Sequence, residues 1–173
     1  AFFLTNTMTP IFMREVSRAY AQGDWDRLGL FFKHYTKVFY VLTTAMCVFP
    51  MVNAHEIALL VGGEKYLPAV WVIALAMFYP IHQTLGQLNG SMFYAMGETI
   101  AYRNIGLFSM VFGAVTSWFL LASHSLWGLH LGALGLVFKM IFIQWVAINI
   151  QLALLAKRLK QSIREYIWLQ IFA

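Results

Sequence analysis

Long apolar segments separated by short polar ones form the dominant pattern of this chain. The longest covers residues 66–97, where no Asp, Glu, Lys or Arg occurs between Lys65 and Glu98. At about 1.5 Å of rise per residue, such a helix exceeds the ~30 Å hydrocarbon core of a bilayer. The pattern predicts an all-α, polytopic transmembrane bundle with spans at about 38–60, 67–96, 105–122 and 131–156.

The remaining segments predict partial spans and a polar connection. Residues 1–13 are apolar but too short to cross a bilayer, so we expect them to end a preceding span, and residues 166–173 to begin a further one. Residues 14–37 are rich in charge and predict a cytoplasmic loop folded as a helix-turn-helix, with Gly23 in the turn and Asp24 as the following N-cap. We therefore expect a piece of a longer protein.

A polar stripe distinguishes the second half of the 67–96 span. With 3.6 residues per turn, one helix face carries Gln83, Gln87, Gly90 and Tyr94, with His82 and Asn89 near its edges. Amides facing lipid would lose their hydrogen bonds, so this face must meet protein or water. Two interpretations remain open for Gln83, Gln87 and Asn89: they line a cavity, or they hydrogen-bond neighbouring helices.

Prolines predict two irregular points within the spans. Pro80 has no N–H to donate, so the helix should kink or unwind there, and Pro50 interrupts the first span in the same way. Broken helices at membrane depth occur in transporters. Pro50 and Pro80 are therefore hinge candidates.

Lys139 is the one cation within a predicted span, about two turns from its start. It can face a cavity that receives an anionic group such as a pyrophosphate, or it can extend its ammonium to the nearer membrane surface. Gln144 and Gln151 lie deeper, roughly on one face, and either extend a polar wall or tie helices together.

Composition supports the membrane class and excludes others. The chain is 61% hydrophobic and 11% charged, with a mean hydropathy of +0.68, outside the range of soluble domains. Its net charge of +5 lies in loops beside spans and does not indicate nucleic-acid binding. One cysteine, Cys47, allows no intrachain disulfide, and His124 and His130 are weak as a metal pair. We predict no enzymatic activity, no cofactor and no metal site.

Basic residues also predict the topology. With four spans, ten of the twelve Lys and Arg residues fall on one side: Arg14, Arg18, Arg27, Lys33, Lys37, Arg103, Lys157, Arg158, Lys160 and Arg164. Only Lys65 lies opposite, and Lys139 lies within a span. By the positive-inside rule the ten are cytoplasmic.

Four short motifs, in this order along the chain, resemble those of the polysaccharide biosynthesis flippases, the Wzx-type exporters of lipid-linked glycans. The loop motif "P..S..yA.GD" is similar to Pro10 with residues 15–24, and the turn "I..LFG..Y.PA" to residues 56–57 with 62–69. The helix end "L.A.G.T" resembles residues 93–99, and the helix start "GALGAA" resembles residues 132–135.

The resemblance implies a two-lobe exporter, with this chain as part of the second six-helix lobe. It implies that undecaprenyl-pyrophosphate-linked oligosaccharide is turned from the cytoplasmic to the outer leaflet of a bacterial or archaeal cytoplasmic membrane by alternating access. Implied partners are the lipid-linked glycan, the bilayer, and polysaccharide polymerase with other assembly proteins. Two alternatives stay open: a cation-coupled multidrug exporter of the same superfamily, and a non-transporting membrane scaffold.

Overall fold

The computed structural model describes the backbone of residues 2–172 and the side chains of residues 7–171. This described part contains helices and turns and no β-strand, which confirms the predicted all-α fold. Its α-helices are α1 (Phe2–Ala21), α2 (Trp25–Val52), α3 (Ala54–Gly62), α4 (Val70–Ala76), α5 (Phe78–Ala95), α6 (Thr99–Leu121), α7 (Gly132–Arg158) and α8 (Ile163–Phe172). Short 3-10 helices occupy Glu64–Ala69 and His124–Leu126.

Four helical segments within the described residues are long and apolar enough to cross a membrane: Trp25–Val52, Glu64–Ala95, Thr99–Leu121 and Gly132–Arg158. Their number agrees with the sequence prediction. The chain is therefore a multi-pass helical membrane protein.

The first span begins earlier than predicted, because its helix starts at Trp25, directly after the predicted cap Asp24. The chain turns at Gly23, which has a φ of +69°, and the Asp24 carboxylate accepts a hydrogen bond of 2.9 Å from the Arg27 amide. The expected turn and cap are both present, but residues 14–37 are not a separate loop. They are the end of α1 and the first turns of α2. Exposed charges at a helix end reach water without interrupting the helix.

Loss of this cap gives a first testable prediction. Asp24→Ala is expected to lower the free energy of unfolding by about 1 kcal/mol, because the free N–H groups of the first turn lose their acceptor. Thermal unfolding of the purified protein measures the change. Asp24→Asn keeps a capping oxygen and should unfold at the same temperature as the wild type. Equal losses of stability in both variants would contradict a capping role.

The predicted 38–60 span is wrong at its C-terminal end. α2 continues through Pro50 and ends at Val52. The next residue, Asn53, donates twice to the Phe49 carbonyl, from its side-chain amide at 2.8 Å and from its backbone N–H at 3.1 Å. An asparagine side chain that bonds nearby backbone competes with the continuing helix. α3 then packs on Glu64–Ala69 and α4.

The predicted 67–96 span is interrupted, and the interruption lies just before Pro80. α4 ends at Ala76, and the Met77 amide bonds to the Ala74 carbonyl at 3.3 Å, a spacing of three residues rather than four. Pro80 stands in the first turn of α5, where its missing N–H leaves the Ala76 carbonyl without its usual partner. The span is therefore two helices in series rather than one kinked helix.

The third and fourth spans need smaller corrections. α6 begins at Thr99 instead of residue 105, directly after a turn at Gly97, whose φ is +71°. Its first turns carry Arg103 and Asn104 and resemble a polar loop in composition, yet they keep the helical spacing. α7 covers Gly132–Arg158, close to the predicted 131–156.

α5 is the central helix of the described bundle and packs against α1, α2 and α7. Much of it is buried, including Leu85, Leu88 and Met92. α6, by contrast, exposes apolar side chains such as Met110 and Val111, as expected of a helix that faces lipid. The bundle therefore has one well-packed side and one open side.

Among the described residues, three ion pairs link different helices or the turns beside them: Glu15 with Arg27 at 3.8 Å, Lys33 with Glu165 at 2.6 Å, and Glu98 with Arg158 at 2.7 Å. They bring together the α1–α2 turn, the α5–α6 turn and the α7–α8 junction. We call this the basic end. The Lys33 ammonium, by hydrogen bonding to Glu165, holds the pKa of that carboxyl below its ordinary value.

Candidate functional site

A cavity of about 680 Å³ lies between α5, α6 and α7, in the half of the bundle nearer the basic end. Side chains able to donate or accept hydrogen bonds form much of its wall. Its lining residues are Tyr79, Gln83, Gly86, Gln87, Tyr94, Thr99, Ile100, Tyr102, Arg103, Ile105, Gly106, Ser109, Gln144, Ala147 and Gln151.

The structure brings three of the five predicted cavity candidates together here. Gln83 and Gln87 come from the polar face of α5, with Tyr94 further along it, and Gln144 comes from α7. Gln151 stands two turns beyond Gln144 and lines the same wall. Amides from two helices that are distant in sequence thus face one space.

Two glycines on α5 let neighbouring side chains reach its backbone. A Cβ atom placed on Gly86 would stand 2.8 Å from the Gln144 amide nitrogen. One placed on Gly90 would stand 2.8 Å from the Tyr102 hydroxyl. Both distances are shorter than any normal contact of a Cβ atom, so glycine is needed at these positions for Gln144 and Tyr102 to sit where they do.

α6 contributes residues to this wall that were not predicted from the sequence. Its members are Thr99, Ile100, Tyr102, Arg103, Ile105, Gly106 and Ser109. The polar ones, Thr99, Tyr102, Arg103 and Ser109, follow helical spacing, and this was the signal available. It was overlooked because the predicted span began only at residue 105, which left most of these residues in a loop.

Two other predicted residues lie away from the cavity wall. Asn89 is fully buried in the bundle, and neither of its amide atoms has a hydrogen-bond partner among the described residues. His82 is also buried, and its Nδ1 atom donates to the Phe78 carbonyl of its own helix at 3.1 Å. His82 therefore bonds within its own helix.

Lys139 does not line this cavity. It is half-buried on α7, and its Cε atom packs over Gly113 of α6, 3.7 Å from where a Cβ of that glycine would stand. No described carboxylate lies within ion-pair distance of its ammonium. The cation that lines the cavity is instead Arg103, whose guanidinium donates to the Asn104 side chain at 3.3 Å.

The cavity can offer hydrogen bonds and one positive charge to a ligand. Glutamine amides and tyrosine hydroxyls both donate and accept hydrogen bonds. Gln151 is only 7% exposed, and its side-chain oxygen has no hydrogen-bond partner among the described residues. The lining contains no carboxylate. Nor do the described residues contain any group of three or more His, Cys, Asp or Glu that can hold a metal ion.

Comparisons of the chain with family models, with curated proteins and with solved structures found no match.

Proposed function

We propose that this chain is part of a membrane transporter that flips undecaprenyl-pyrophosphate-linked oligosaccharide from the cytoplasmic to the outer leaflet. The observation that carries the proposal is the amide- and phenol-lined cavity within a bundle of membrane-spanning helices. Sugar hydroxyls cannot enter hydrocarbon without losing their hydrogen bonds to water. A wall of Gln83, Gln87, Gln144 and Gln151 replaces those bonds.

The absence of a carboxylate from the lining favours a glycan over a cationic drug. A cation-coupled multidrug exporter, the second candidate, needs negative charge to hold its substrate or its ion at membrane depth. In the cavity described above the one charged side chain is Arg103. Arg103 is positively charged and suits the pyrophosphate of a lipid-linked sugar.

Alternating access supplies the mechanism, and the broken span supplies a hinge. α4 and α5 meet at Met77, where the regular hydrogen-bond ladder is interrupted. Rotation at this point costs less than bending a continuous helix. α5 carries Gln83 and Gln87, so its movement changes the side from which the cavity is reached. We assign the basic end to the cytoplasm of a bacterial or archaeal cell.

The proposal is tested with the full-length protein in liposomes that contain a fluorescent lipid-linked oligosaccharide. We expect translocation from one leaflet to the other, measured as loss of fluorescence to a quencher that cannot cross the membrane. Efflux of small cationic dyes without movement of any lipid-linked glycan would instead establish the multidrug exporter. Movement of neither substrate would favour a scaffold beside the polymerase and other assembly proteins.

Lys139→Ala gives a second reading of the same assay. Because Lys139 packs over Gly113 and lies away from the cavity wall, we expect its alanine variant to keep the wild-type rate within about twofold. A larger loss in a variant that melts like the wild type would make Lys139 a substrate contact.

A further inference from the structure

The two helices α6 and α7 are in close contact far from the basic end. A Cβ atom on Gly113 would stand 3.7 Å from Lys139 and 3.9 Å from Ile143, and one on Gly135 would stand 3.2 Å from the Leu120 carbonyl. At Gly135 a Cβ atom would press on the α6 backbone, whereas at Gly113 it would make an ordinary contact with α7 side chains. The outer halves of α6 and α7 are therefore fixed to each other by close packing.

Toward the basic end the same two helices leave space on both sides of their contact. The polar cavity lies on one side. On the other side lies a cleft of about 330 Å³, lined by Ala101, Asn104, Ile105, Phe108, Ile150 and Leu154. Ile105 belongs to both walls and is 7% exposed, whereas Phe108 is 50% exposed. Ile105 thus stands between a polar interior and a surface that faces lipid.

At the basic end itself an ion pair joins the two helices again. Glu98 immediately precedes α6, Arg158 is the last residue of α7, and their side chains meet at 2.7 Å. Both groups are partly exposed, and an ion pair in contact with water contributes little to stability. That is a weak attachment compared with the packed outer halves, so loss of one charge is enough to release it.

We propose that the inner halves of α6 and α7 form a lateral gate, closed by the Glu98–Arg158 ion pair. When the pair separates, the two helices spread about their fixed outer contact, and the polar cavity opens sideways toward the membrane. Given the proposed function, an amphipathic substrate enters here: its sugar and anionic group pass Ile105 into the cavity, and its apolar chain stays in lipid. Arg103 on the cavity wall meets the anionic group first.

A distance measurement across the gate tests this proposal. Spin labels are attached to Leu107→Cys on α6 and Ala153→Cys on α7, two exposed positions, in full-length protein with Cys47→Ser. Pulsed electron paramagnetic resonance then reports the distance between the labels in liposomes without substrate. We expect one short population in this background and an added, longer population after Glu98→Gln, with a shift between about 2 Å and one helical turn of about 5 Å.

Two further variants test whether the change in distance depends on the Glu98–Arg158 ion pair. The double exchange Glu98→Arg with Arg158→Glu restores opposite charges and should return the short population alone. Lys33→Gln breaks the other close ion pair at the basic end, which joins α2 to α8, and should leave the α6–α7 distance unchanged. Identical distance distributions for wild type and Glu98→Gln would overturn the gate.

The measurement separates the gate from the proposed substrate. Because no substrate is present, a longer population after Glu98→Gln supports the gate even if lipid-linked oligosaccharide is not transported. Conversely, transport without any change in the α6–α7 distance would keep the proposed function and discard the gate.

Discussion

Replacing Gln87 and Gln144 together by leucine is expected to slow the proposed translocation of lipid-linked oligosaccharide at least about tenfold. Each amide lines the cavity, one from α5 and one from α7, and leucine keeps similar bulk while removing every hydrogen bond. One net hydrogen bond is worth about 1 kcal/mol, and 1.4 kcal/mol corresponds to a factor of ten in rate. The initial rate of fluorescence quenching in liposomes measures the loss.

The matched control for this variant is Thr116→Val. Thr116 is a polar residue of α6 beyond the cavity, and its hydroxyl donates to the Phe112 carbonyl of its own helix at 2.8 Å. We expect its translocation rate to stay close to that of the wild type. If the leucine pair folded normally and still transported at the wild-type rate, the cavity would not be the substrate site.

Gly128→Ala is expected to cause the largest loss of stability among the glycine variants. Its new Cβ atom would collide with the backbone of Ala122, standing 2.7 Å from the Ala122 Cα and nearer still to its carbonyl. Backbone atoms cannot turn aside as a side chain can. The backbone N–H groups of Leu129 and Leu131 in this loop also donate to the Phe119 and Leu120 carbonyls, which ties the loop to the end of α6. Overpacking of this kind costs about 1–3 kcal/mol.

A fall of several degrees in the midpoint of thermal unfolding would report this cost. Gly106→Ala is the matched comparison, because its Cβ atom meets nothing within 4 Å and alanine favours a helix by up to about 1 kcal/mol. That variant should melt at or above the wild-type temperature. Unchanged melting of Gly128→Ala would mean that the Ala122 backbone yields easily, and that the loop does not fix the outer contact of α6 and α7.

Much of the fold was predictable because it depends on local physics. The lengths of the apolar runs predicted four spans, and four are present among the described residues. The charged residues predicted which turns lie at the same end of the bundle, and the Glu98–Arg158 and Lys33–Glu165 pairs bring those turns together. Asp24 was predicted as a cap because its hydrogen bond spans only three residues.

The helix boundaries were less predictable, since polar residues at a helix end look like loop residues in a sequence. The starts of α2 and α6 were predicted wrongly for this reason. Because of the wrong start of α6, Tyr102, Arg103 and Ser109 were not predicted as cavity residues. The break was predicted at Pro80 and lies at Met77. It precedes the proline because a proline disturbs the helical turn before it.

The sequence by itself determined the membrane class, the number of spans, the basic end and the polar face of α5. Only the tertiary structure decided which polar residues share a cavity, placing Gln144 and Arg103 on its wall and Lys139 and Asn89 elsewhere. Periodicity fixes the direction in which a side chain points from its own helix. What it meets there depends on the packing of distant helices, here on the space that Gly86 and Gly90 leave for Gln144 and Tyr102.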